Sequence, residues 1–164
     1  MPIPDNFTDP YYGDITNAVI ALVENAPRGP VGYEVREYED DLGGEGSVAG
    51  LISRVALRPL FLVHVTAAQA SEPDSVFTAY RERIQIEVLC CVSNPRSITE
   101  QKRSAMAAFG YVRRVLSGKS LRGEFFAPAP LVYDSWETVT NGVGLAVVSC
   151  NFFIDTFTTL DTDA

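Results

Sequence analysis

The residues able to do covalent or metal chemistry are few: one histidine, His64, and three cysteines, Cys90, Cys91 and Cys150. Ser-His or Cys-His nucleophilic catalysis needs an imidazole beside the nucleophile, and structural zinc draws on several His and Cys ligands. One histidine sharply restricts both. His64 stands within the apolar run 60–66, where an imidazole is expected as a hydrogen-bonded core or interface residue. The cysteines show neither CxxC nor Cys/His spacing, and the adjacent pair should point to opposite faces of a strand. All three are expected to be free thiols packed as small hydrophobes.

Gly118-Lys119-Ser120 has the ending of a phosphate-binding loop, but that motif needs a glycine where Arg113 stands, and must lead from a strand into a helix. Here the tripeptide follows a helical pattern and reads as its stop. The glycines at 43, 44, 46 and 50 lack G-x-G-x-x-G order, and Ser47 is not in a G-x-S-x-G elbow, so a loop is expected there. Glu37, Glu39, Asp40, Asp41 and Glu45 lack the order of a calcium loop and read as a solvated acidic patch able to guide a partner. The main positive groups are Arg81, Arg83, Arg103, Arg113, Arg114, Lys119 and Arg122. Two readings of these cations stay open: a solvated face, or a surface that pairs with the acidic patch of a neighbouring copy. Complementary patches on one chain permit head-to-tail contacts that close into a ring. No catalytic, cofactor-binding or metal residue is expected.

Composition sets the frame around these residues. A chain of 164 residues, 46% hydrophobic and 21% charged, suits one core. A net charge of −8 and a pI near 4.6 argue against a general nucleic-acid binder, since phosphate contacts require clustered Lys and Arg. No apolar run reaches the roughly 20 residues of a membrane span. The N-terminal Met1-Pro2-Ile3-Pro4-Asp5 lacks a signal peptide's basic and apolar regions, so synthesis in a cytoplasm is expected.

Residues 1–13, rich in Pro, Asp and aromatics, are expected to form an extended arm, and 14–160 a single α+β domain with an acidic, Gly-rich loop at 37–50. Asp14 can cap a helix whose Ile15, Ala18, Val19, Leu22 and Val23 repeat at helical spacing. Alternation predicts a strand around residues 31–36, a short strand near 51–57, another at 60–66, a polar connection at 67–77, and a long strand at 78–92. Ser97 and Glu100 have capping-box spacing, and Ala105, Met106, Phe109, Val112 and Leu116 form one stripe, so a helix is predicted over 98–116 with Gly118 as its left-handed stop. After a loop at 119–130, strands at 131–139 and 143–159 flank Asn141-Gly142, a dipeptide favoured in tight turns. The last strand is apolar on both faces. It must be central in its sheet or covered by a neighbouring subunit.

The order of these elements resembles a family of Mu-like phage tail proteins related to tail terminators. The resemblance runs from about residue 14 to 158 and is carried by residues 80–92, the Asn94-Pro95-Arg96 turn, the stretch Phe109-Gly110-Tyr111-Val112-Arg113-Arg114-Val115-Leu116-Ser117-Gly118-Lys119 and the final apolar strand. It implies a mostly antiparallel, twisted sheet packed with two main helices, and no active site. It also implies a virion protein of the tail or neck, whose homohexameric ring caps the tail tube, meets the head-tail connector and can also meet a sheath. Six copies at −8 each carry −48 formal charges, and a negative channel wall lets DNA pass without sticking. The alternatives are another neck or tail-completion protein, a tube protein, which should be richer in strands, or a small-molecule-binding or enzymatic α+β domain using the His64 and Glu87 region. The acidic Gly-rich segment has no counterpart in the resemblance.

Overall fold

A computed structural model describes residues 10–26, 33–39, 50–52, 55, 59–70, 79–93, 97–123, 128–142 and 144–159. The fold is α+β: the described residues form three helices and a five-stranded, mostly antiparallel sheet. In chain order the elements are α1 (Pro10–Glu24), β1 (Glu34–Glu37), a short helical segment α2 seen at residues 50–52 and 55, β2 (Leu60–Ala70) and β3 (Ala79–Val92). Then follow α3 (Ile98–Leu116), β4 (Ser120–Leu121), β5 (Ala129–Pro130), β6 (Val132–Gly142) and β7 (Leu145–Thr159). The sheet order is β1-β2-β3-β7-β6, with β1 parallel to β2 and every other neighbour antiparallel.

Period-2 alternation decides what each sheet face carries. One face of β3 bears Ile84, Ile86, Val88, Cys90 and Val92, and the matching face of β7 bears Ala146, Val148, Cys150, Phe152 and Ile154. Both α1, through Ile15, Val19 and Val23, and α3, through Ala105, Phe109, Val112 and Leu116, press onto this face. Full burial of a side chain such as Phe152 contributes about 1.5–3 kcal/mol, so this layer dominates the stability. On the opposite face a second buried apolar cluster sits at one end, where Leu60, Leu62, Leu89, Cys91, Leu145 and Val147 meet Leu51 and Val55 of α2.

β7 lies between β3 and β6, and its faces pack within the chain, one under α1 and α3 and the other, at Leu145 and Val147, against Leu51 and Val55. The capped helix begins and ends where expected: Ser97 Oγ accepts from the Glu100 amide at 3.0 Å, and Gly118 takes φ +74°. Five expectations are corrected. α1 starts at Pro10, so residues 10–13 belong to the helix and Asp14 lies inside it rather than capping it. Residues 50–52 and 55 are helical, because Leu51 and Val55, one turn apart, both fill the apolar end of the open face. β2 continues through Ala67–Ala70, pulled into the sheet by pairing with Glu82–Gln85. The 119–130 connection contains a two-stranded ladder, Ser120 to Pro130 and Leu121 to Ala129. Asn141 and Gly142 pair with Ala146 and Leu145, so the hairpin turns two residues later, and the positive φ, +85°, falls on Gly144.

Candidate functional sites: a polar cluster on the open sheet face and a cationic groove between helices

The open face of the sheet changes from apolar to polar where His64, Glu87 and Asn151 stand side by side on β2, β3 and β7. His64 Nε2 and Glu87 Oε1 are 2.6 Å apart, and Ser149 Oγ donates to Glu87 Oε2, also at 2.6 Å. The Asn151 amide donates to Ser149 Oγ at 3.2 Å. The ring of Tyr38 lies over the imidazole with centroids 4.5 Å apart. The hydrogen bond from His64 holds the Glu87 carboxyl below the usual glutamate range; burial opposes this and the Ser149 hydroxyl assists it. Three residue types of a hydrolytic triad are therefore in contact, but in an order that does not activate the serine. In a triad the imidazole lies between hydroxyl and carboxylate; here the carboxylate lies between them, and Ser149 gives its proton in a hydrogen bond to Glu87.

The second feature is a cavity of about 790 Å3 on the helix side. Its floor is apolar, made by Ala18 and Leu22 of α1, Ala26 just after it, Tyr111 and Val115 of α3, and Leu121 of β4. Arg114, Lys119 and Arg122 line it as well. The local chain path explains their convergence. After α3 the Gly118 amide donates to Leu131 O at 2.8 Å and the Leu131 amide to Lys119 O at 2.8 Å, which starts the β4-β5 ladder and turns residues 119–122 back toward α1. Tyr33 Oη donates to the Val23 carbonyl, closing the end of α1, and stands 3.5 Å from Tyr111 Oη. Burial first, and the Tyr33 contact second, push the Tyr111 hydroxyl up to about 12.

The cations and acids singled out by sequence are thus dispersed. Arg114, Lys119 and Arg122 share the groove. Arg113 lies on another face of α3, over the rings of Phe109 and Tyr133 at 5.7 and 5.5 Å. Arg83 forms a two-pronged pair with Asp155 at 2.8 and 2.9 Å and covers the Phe153 ring, on the open sheet face. Arg81 is in β3, with its side chain outside the described residues. Glu37 and Glu39 are exposed at the end of β1; Asp40 and Asp41 lie outside the described residues, as does the Asn94-Pro95-Arg96 turn.

The cysteines are free and buried, and burial pushes the Cys90 thiol well up and that of Cys150 to about 12. Burial thus disfavours the thiolate of Cys90 and Cys150 in the folded state. Among the described residues no three His, Cys, Asp or Glu side chains are arranged to hold a metal ion, and no helix is long and apolar enough to cross a membrane.

Sequence reasoning anticipated His64 and Glu87 but missed Ser149, although a serine at a fully buried position of a strand otherwise apolar on both faces signals a satisfied polar contact. It also missed the exposed apolar side chains of β6: Val132 at 40%, Trp136 at 43% and Val139 at 44% exposure.

No family model matches the chain. No curated protein matches it either. Among solved structures, the chain is similar to one from a particle described as "Virion of native gene transfer agent (GTA) particle", with TM-score 0.48 and 10% identity over 92% of this chain and 98% of that one. At that identity and score the likeness carries no assignment of function.

Proposed function

We propose that this chain is a structural, non-enzymatic virion protein of the tail-terminator type, which assembles as a ring, most simply a hexamer, to cap a phage tail tube. Its partners in this reading are further copies of itself, the tail tube protein, the head-tail connector and, in a contractile tail, the sheath. It would be made in the host cytoplasm, act in the neck of the particle, bind no cofactor and let DNA pass through its lumen.

The observation that carries the reading is the outer edge of β6. That strand ends the sheet, runs 11 residues and exposes Val132, Trp136 and Val139, while the interior is closed by α1, α3 and a central β7. A long edge bearing that much apolar surface is a docking surface. The kind of assembly follows from the resemblance stated above, whose most characteristic stretch, 109–119, folds as a helix and its stop.

Co-expression with the tail tube protein, followed by sedimentation and electron microscopy, tests the proposal. Rings and closed tube ends are expected. A monomer that never binds a tube end overturns it. The contact of His64 with Glu87 favours one competing reading, a small-molecule-binding or enzymatic domain. If His64→Ala leaves tail assembly intact but abolishes a ligand's heat of binding in calorimetry, that competitor prevails.

A further inference from the structure

We infer that the groove between α1 and α3 is the receiving half of the contact between copies, and that its occupant is the acidic segment Asp40-Asp41-Leu42 of the neighbouring copy. The inference deepens the ring reading and rests on it.

The groove selects its ligand by chemistry. Arg114, Lys119 and Arg122 are all exposed, and among the described residues no carboxylate pairs with any of them. Two helix C-termini end nearby and contribute roughly half a negative charge each. Three full cations therefore leave a surplus of about two positive charges over an apolar floor. Such a site takes a short acidic peptide with an apolar anchor. The chain has 21 acidic and 13 basic residues, so a groove lined by three cations differs in sign from the molecule's net charge.

The chain contains a complementary segment. Asp40 and Asp41 supply two carboxylates for the surplus of about two positive charges, and Leu42 supplies an anchor for the floor formed by Leu22, Val115 and Leu121. The described chain leading to this segment runs from Tyr33 along β1 to Glu39. Tyr33 is tied to Val23 beside the cavity, and β1 then runs along β2, held by Glu34 N to Pro59 O at one end and Tyr38 N to Val63 O at the other. Six extended residues carry Glu39 roughly 20 Å from Tyr33. Donor and acceptor at separate places on one chain make a head-to-tail contact, the kind that closes into a ring when its rotation permits.

The test has two arms on the full-length protein. In the first, a labelled peptide spanning residues 37–43 is titrated into the wild type and into Arg114→Gln/Arg122→Gln, with fluorescence anisotropy at low and high salt. Saturable binding, weakened at least tenfold by the double variant and by salt, is expected. All the altered side chains are exposed, and circular dichroism checks that the fold persists.

In the second arm, Asp40→Lys/Asp41→Lys and Arg114→Asp/Arg122→Asp are examined alone and mixed by sedimentation velocity. Each alone should lose self-association, and the mixture should recover it, because the swapped charges meet across the contact. If wild type and both variants assemble alike and no peptide binds, the groove inference falls while the ring reading stands. If the wild type neither self-associates nor caps tubes, the ring reading falls, and the peptide arm still decides whether the groove takes acidic segments. Tighter peptide binding by Asp40→Lys/Asp41→Lys with an unchanged oligomeric state would mean that the segment docks in its own copy, which overturns the inference.

Discussion

Glu87 shows how one side chain sets the character of a surface. Both of its oxygens are engaged, one by His64 and one by Ser149, at a point where the open sheet face passes from apolar to polar. The His64 hydrogen bond lowers its folded pKa, so at acid pH the native state binds fewer protons than the unfolded chain. The stability this supplies is present above the ordinary glutamate pKa and is lost as pH falls through the depressed folded value. We therefore expect the urea midpoint to drop as pH falls from the ordinary glutamate range through the depressed folded value. Glu87→Gln should lose about 1.5–3 kcal/mol at pH 7, the range for hydrogen bonds to a charged group, and show a flatter acid limb. Parallel acid limbs in the two proteins would show that the drop arises elsewhere. His64 and Glu87 were legible as a pair of interest because polar types stood within apolar runs. Their partner Ser149 was not, because its role depends on the cross-strand register of β3 and β7, which places it diagonal to Glu87.

At the scale of elements, legibility followed the strength of local signals. α3 was readable at both ends because each is marked by a residue with one dominant physical use. Ser97 supplies a hydroxyl to an orphan amide, and Gly118 adopts a left-handed conformation that side chains resist. Elements whose identity is decided by what they pack against were misread. Leu51 and Val55 satisfy both a period of two and one helical turn, and the uncovered end of the sheet selects the helix. Ala67–Ala70 lack β-branched residues and become strand through pairing with β3. A Cβ at Gly118 would meet nothing within 4 Å, so the cost of Gly118→Ala is conformational alone, about 1–2 kcal/mol. Ser97→Ala removes the N-cap bond and should cost about 1 kcal/mol. The two positions flank a 19-residue helix, so they are far apart, and the double variant in urea denaturation should equal the sum of the singles to within about 0.5 kcal/mol. A marked departure would mean that the Gly118 to Leu131 connection is coupled to the far end of the helix.

At the scale of the whole molecule, the two sides of the sheet differ in what they leave unfinished, and the clearest unfinished feature is the β6 edge. β-Bulges interrupt its register with β7 between Tyr133 and Ser135 and again between Thr138 and Thr140. Bulges disfavour strand addition at an edge, so docking here proceeds through side chains rather than by extending the ladder. Val132 and Val139 are suitable probes because both are substantially exposed, whereas Trp136 also stacks 5.5 Å from Phe109 and contributes to the seating of α3. Val132→Lys/Val139→Lys should fold with a melting temperature close to wild type, since exposed substitutions away from caps and cores usually change stability by no more than about 0.5 kcal/mol. It should nevertheless fail to close tube ends in the assembly assay, because two ammonium groups would have to be desolvated in an apolar contact. Trp136 is the chain's only tryptophan, which gives an independent reading. Its emission should shift to shorter wavelength when the wild-type protein joins a tube and remain unshifted in the double variant. Tube capping by the variant at wild-type efficiency, or an unshifted emission in capped wild-type tubes, would remove the β6 edge from the assembly and with it the observation on which the proposed function rests.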